Sequence, residues 1–258
     1  MNEPFNSHKN IAYHYTDMNA LINILGKETI SLRATNCLYL NDSQEIKEGI
    51  SSVKRVANVQ LQEGAFRGYY LTSFSKSEDE LSMWGMYAAN GNGCAIGFDM
   101  DEIMKHYHIM ANCFYGKESI DQYLNSFINL IKHGTITYIP YSSEEKGWSK
   151  KSILTEELAT NQYILTCLGA KNIAYRIENE VRCIIDDKDK EVKFRIKNGV
   201  IIPYIVINTI AKSALKKIII GPTNNSQLTM QSVIHFLQIN DYDLSKIEIK
   251  NSNIPYRG

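Results

Sequence analysis

The sequence predicts an α+β fold with mixed or antiparallel sheets and flanking helices, and three observations predict it. Short β-forming runs, some almost wholly apolar, are interspersed with segments of helical period. Their order is irregular rather than a repeating βαβ alternation, and most strands fall in the second half. No composition shift and no Pro-, Gly- or Ser-rich linker divides the chain, so residues 1–258 are expected to form a single domain. A chain of this length can bury a sizeable core without staples.

Each element has a local reason. Residues 13–16 read as the end of a strand, with Thr16 as N-cap of a helix carrying Leu21, Ile24 and Leu25 and ended by Gly26. Residues 30–40 are irregular and strand-like. Asp42 to Glu45 has capping-box spacing ahead of the apolar stripe Ile46, Ile50, Val53 and Ala57. Residues 68–75 are rich in β-formers. Ser77 to Glu80 repeats the capping-box spacing before Leu81, Trp84 and Ala88, and Asn90-Gly91-Asn92-Gly93 forms a turn. A short apolar strand covers 94–98. Helices follow at 117–133 and about 150–171, with a strand at 135–141 between them. Strands are expected at 180–185, 191–196, 200–207 and 216–220, then a helix over 227–237 and a strand over 246–249.

The balance of 28 basic and 28 acidic residues argues against a surface dominated by phosphate-binding charge and leaves a local basic groove open. The five cysteines include no C-x-x-C pair, which favours buried reduced thiols over zinc or redox chemistry, and no metal is expected. Residues 1–9 are polar, unlike a secretory signal. No run approaches the roughly 18 apolar residues of a membrane helix. A soluble, cytoplasmic protein without membrane partners is the expectation.

Three short segments carry chemistry. In Glu178-Asn179-Glu180, residues two apart on a strand face one side, so the two carboxylates would project together and raise a pKa, as acid/base work needs. The alternative is a pair of solvated acids bridging to Arg176 or Arg182. His14, between Tyr13 and Tyr15 and just before a helix start, is either a structural histidine or a polar hook for ribose or phosphate. Ser73 and Ser75 flank one side of a strand while Phe74 faces the other. Trp84 and Tyr87 lie at helical spacing, where core packing is the default. Tyr15, Trp84 and Tyr87 are also rings able to stack on a planar ligand.

The series Asn41-Asp42 with Glu45, Ser73-Phe74-Ser75, Met83-Trp84, Tyr87-Ala88, Gly93, Gly97-Phe98, Lys171, Tyr175, Glu178 with Glu180-Val181-Arg182, and Ile220-Gly221-Pro222 resembles a bacterial family, domain-of-unknown-function family 2971. More distantly, His14-Tyr15-Thr16, Ser73-x-Ser75 and the late E-x-E look like the three-part signature of ADP-ribosyltransferases. That resemblance implies an ADP-ribosyltransferase-like fold and NAD as a substrate, without a metal. It implies that His14, Tyr15 and Thr16 hold the adenine-side ribose and that Ser73 and Ser75 shape the nicotinamide pocket. Glu180 would be catalytic at the nicotinamide ribose, and Glu178 the acid facing the acceptor. In that superfamily a Ser-x-Ser second motif usually travels with an arginine first motif, a place Arg33 can take. The implied acceptor is a macromolecule, protein or single-stranded nucleic acid, and the implied role is a toxin or phage-defence effector with an antitoxin or regulatory partner. The alternative is a non-catalytic module that binds a nucleotide or a partner protein.

Overall fold

The computed structural model describes residues 10–40, 45–132 and 156–255. Its strands are β1 (Ile11–Thr16), β2 (Ile30–Asn36), β3 (Tyr69–Ser75), β4 (Cys94–Asp99), β5 (Ile109–Asn112), β6 (Phe114–Tyr115), β7 (Ala170–Lys171), β8 (Glu180–Asp186), β9 (Val192–Lys197), β10 (Val200–Ile210), β11 (Leu215–Ile220) and β12 (Glu248–Asn251). Its α-helices are α1 (Met18–Ile24), α2 (Glu45–Ala57), α3 (Leu81–Tyr87), α4 (Met100–Met104), α5 (Lys117–Lys132), α6 (Glu156–Gly169) and α7 (Ser226–Ile239). The fold is α+β, with a mostly antiparallel sheet and flanking helices, as the irregular order of elements predicts. Among the described residues, no helix is long and apolar enough to cross a membrane.

The chain forms two compact units, each assembled from separate stretches. The first comprises residues 1–35, 70–110 and 177–258 and holds every candidate site residue. Its sheet runs β12-β11-β4-β1-β3-β2-β10-β9, and β8 pairs with β3 and β5. Period-two alternation decides which side chains meet. Ala12 of β1, Leu32 of β2, Phe74 of β3, Ile96 of β4 and Cys183 of β8 share one face, where α1, α4 and α7 cover them as the main core. On the opposite face, Tyr13, Tyr15, Ala95 and Ile219 pack under Met83 and Trp84 of α3.

The second unit comprises residues 36–69 and 111–176, built on α2, α5, α6 and the parallel pair β6–β7. Gly49 lets α2 approach α6 closely, since a Cβ there would stand 2.6 Å from Cys167 Cα. Glu45 at the start of α2 is buried and pairs with buried Lys171 at 3.5 Å.

Several local expectations change. The cap of α1 is Asp17, not Thr16: Thr16 stays paired with Cys94 in the β1–β4 ladder, while the Asp17 carboxylate accepts the Ala20 N–H at 2.7 Å. Likewise Glu80 caps α3, because the Ser77 N–H is already taken by Ser75. Helix α1 ends where expected, with Leu25 as its C-cap directly before Gly26. Helix α4 and strands β5 and β6 are too short to show a period, and the helix expected to about residue 171 stops at Gly169 because Ala170 and Lys171 pair with β6 as β7. The expected strand at 135–141, the first turn of the 150–171 helix and the start of the Asp42 capping box lie outside the described residues.

Of the glycines in the first unit, Gly93 leaves the least room for a side chain. A Cβ there would lie 2.1 Å from Thr16 O and 2.9 Å from Ala88 O, both backbone atoms that cannot rotate away. Gly93→Ala is expected to cost about 1–3 kcal/mol, as overpacking does. A denaturant midpoint lowered at unchanged slope checks it.

Candidate functional site

Strands β1, β3 and β8 bring the three singled-out segments together. Tyr13 lies opposite Ser75 in the antiparallel β1–β3 pair, so one step along sets His14 beside Phe74 and Tyr15 beside Ser73. The His14 ring meets Phe74 edge-on, with centroids 5.8 Å apart, and its Nδ1 lies 3.1 Å from Ser73 O. Phe74 in turn packs on Phe98 in the main core. Burial holds the His14 pKa below the ordinary value of 6.5, against the opposing pull of the Ser73 carbonyl.

The end of β3 is fastened to the segment that starts β8. Ser75 Oγ donates to Glu178 O at 2.7 Å and accepts the Ser77 N–H at 3.0 Å, while the Lys76 N–H donates to Asn179 O at 2.9 Å. Asn179 has φ of 43°, a left-handed conformation that asparagine tolerates better than most residues. Strand β8 therefore begins only at Glu180, and Glu178 ends a 3-10 turn. The expectation that both carboxylates project from one strand face fails for this reason: the backbone reverses its hand between them.

Each acid has its own partner. Tyr87 Oη donates to Glu178 Oε1 at 2.7 Å. Arg182, two residues along β8 and so on the same face, donates Nε to Glu180 Oε1 and Nη2 to Glu180 Oε2, both at 3.0 Å. With Glu180 6% and Arg182 2% exposed, this is a buried bidentate ion pair, and Glu178 is as deeply covered at 3%.

Strand alternation sets Tyr15, Ser73, Ser75 and Glu180 toward one face of the sheet and His14 toward the other, beside Phe74. Arg33 belongs with the first group. Ile30, Leu32 and Ala34 of β2 enter the main core, so Arg33 points the opposite way, exposed, with its guanidinium 5.3 Å from the Tyr204 ring centre. The backbone of Arg33 touches β3, whose Thr72 Oγ1 donates to Arg33 O at 3.1 Å.

The aromatic residues are framework. Trp84 is fully buried, donates Nε1 to Asp79 Oδ1 at 2.6 Å, and meets Tyr15 edge-on at 4.9 Å. Tyr15 Oη donates to Ser77 O at 3.0 Å and accepts the Glu80 N–H at 3.2 Å, which anchors the start of α3, and burial pushes its phenol pKa up. Thr16 is a buried strand residue. Sequence reasoning missed Asp79, which also accepts from Ser252 Oγ at 2.6 Å and the Asn253 N–H at 2.8 Å. No spacing rule could have found partners so distant along the chain. Among the described residues, no three His, Cys, Asp or Glu side chains converge as metal ligands.

Removing Arg182 strands the buried Glu180 carboxylate without its guanidinium. Arg182→Ala is expected to destabilise by about 3–5 kcal/mol, whereas Glu180→Met with Arg182→Met together cost far less. A double-mutant cycle of chemical unfolding measures the difference. His14 gives a pH test. Its folded-state pKa is depressed, so the unfolded chain binds more protons than the native one below the unfolded value near 6.5. The stability His14 supports is complete above that value and is lost as pH falls through the folded pKa. His14→Gln is expected to flatten the decline of stability below pH 6.5, read from denaturant melts across that range.

No curated protein and no solved structure matches this chain. Residues 83–183 match the family model described as Protein of unknown function (DUF2971). The matched stretch runs from α3 into β8, so it takes in Trp84, Tyr87, Glu178, Glu180 and Arg182.

Proposed function

We propose that this protein is an ADP-ribosyltransferase-like enzyme that uses NAD to modify a macromolecular acceptor. The observation that carries the reading is convergence. Segments separated by 59 and 103 residues are joined directly, through His14 Nδ1 at Ser73 O and Ser75 Oγ at Glu178 O. The three parts of the resemblance thus meet at the end of one strand.

Of the two residues open for the first anchor, Arg33 is supported by alternation, since it shares a sheet face with Ser73, Ser75 and Glu180. His14 turns to the other face and contributes through the Ser73 carbonyl. In the reaction, the bond from the ribose C1′ to nicotinamide breaks and nicotinamide leaves with the electron pair. The oxocarbenium-like ribose is stabilised by the carboxylate of Glu180. The acceptor nucleophile then bonds to C1′ and gives its proton to a base, the role proposed for Glu178 beside Tyr87.

A second reading, a non-catalytic module that binds a nucleotide or a partner, has its own support. Both oxygens of Glu180 already accept from Arg182, which neutralises the charge that catalysis needs.

One assay separates the two. Purified protein is given isotopically labelled NAD and cell lysate, and label is followed into protein, RNA and DNA. Wild type is expected to transfer label, and Glu180→Gln to lose about 100-fold or more of the rate. Equal labelling by both, or none into any fraction, overturns the enzyme reading; NAD binding by calorimetry without turnover establishes the module instead.

A further inference from the structure

A basic strip crosses one face of β2, β10 and β9 in the first unit. On β9, Val192, Phe194 and Ile196 alternate with Lys193, Arg195 and Lys197. Register carries this face across the sheet: Lys193 lies opposite Tyr204, Tyr204 opposite Thr35, and Val206 opposite Arg33. The contacts agree, since Arg195 Nη2 donates to Thr35 Oγ1 at 3.2 Å and the Arg33 guanidinium lies over the Tyr204 ring.

Two features mark the strip as a place for an anion rather than a solvated surface. Among the described residues, neither Arg33 nor Arg195 forms an ion pair with a carboxylate, although the two cations lie close enough to act on each other. Arg195 Nε is buried and has no hydrogen-bond acceptor. A guanidinium with a buried, unpartnered N–H carries a desolvation cost that the charge of a neighbouring anion offsets. Burial and the Arg33 cation both push the Arg195 pKa down, the direction expected of a cation short of counter-charge.

We propose that this strip binds single-stranded nucleic acid. The cations are spread rather than gathered at one point. Arg195 and Arg33 lie two strands apart, about 10 Å across the sheet, and Lys193, which also pairs with Glu191 at 3.3 Å, stands about 7 Å along β9 from Arg195. That spread suits successive phosphates of a chain better than one phosphate group. Tyr204 stands between them with Arg33 above its ring, and an aromatic within a basic row is what a base needs for stacking. An acidic peptide would match the charge and make no use of the ring. The zero net charge of the whole chain is no obstacle, because the strip is local. Arg33 is also the residue proposed above as the NAD anchor, so binding is read without NAD, where loss of oligonucleotide binding is distinguishable from loss of turnover.

The test is fluorescence anisotropy of labelled single-stranded DNA and RNA oligonucleotides, without NAD, over a salt series. Wild type is expected to bind, and the tighter of the two strands identifies which nucleic acid the site prefers. Arg33→Glu, at an exposed position, is expected to weaken binding tenfold or more. Arg33→Ala should lower the slope of log affinity against log salt by about 0.7, the signature of one lost phosphate contact on a single strand. Tyr204→Leu should weaken the base-bearing strand and leave an abasic strand of equal length unaffected. Unchanged thermal unfolding of Arg33→Glu shows that the fold is intact. Absence of binding by wild type overturns the proposal. So does wild-type binding by Arg33→Glu, or polyglutamate or the abasic strand binding wild type as tightly as the oligonucleotide.

Discussion

The hydroxyl of Ser75 is the hinge pin of the candidate site. It donates to Glu178 O while accepting the Ser77 N–H, so one side chain fixes both the exit of β3 and the approach to β8. The neighbouring bond from the Lys76 N–H to Asn179 O makes the junction two-pronged. Asn179 takes its left-handed conformation at this junction, and the reversal sends Glu178 to Tyr87 and Glu180 to Arg182. Ser75 is only 1% exposed, so water does not compete for either bond. A serine that strand alternation would class as polar decoration is a structural determinant of where both acids sit.

The second constraint is that a strand has two faces. His14 and Ser73 are near neighbours, yet their side chains leave the sheet on opposite sides, and only the imidazole's reach to the Ser73 carbonyl joins them. The same rule groups Arg33 with Ser73, Ser75 and Glu180. Geometry thus sorts these residues: Arg33, Ser73, Ser75 and Glu180 share one face, and His14 serves the core on the other.

Much of the fold was legible because it is periodic. The apolar run of β4, the stripe of α5 and the strands from β8 to β11 stand near their expected limits. What was not legible is short-range competition for hydrogen bonds. Asp17 displaces Thr16 as a cap because the ladder already uses Thr16, and Glu80 displaces Ser77 because Ser75 holds it. Tertiary partners were hidden for another reason. Asp79 is met by residues more than 170 positions away, and the Arg182 pairing competes with an equally plausible bridge from Arg176. Residue types announced that acids, hydroxyls and rings were present; only the register says which face each occupies.

The Glu180–Arg182 pair bears on whether such a site can be chemical at all. A carboxylate held bidentately and buried presents a dipole rather than a net negative charge, so its attraction for a developing cation is reduced. Holding the group rigid avoids reorganisation when charge appears, which is where preorganised electrostatics gains its advantage. The guanidinium that fixes Glu180 in place also offsets its charge, so the role proposed for Glu180 rests on its fixed position more than on a full negative charge.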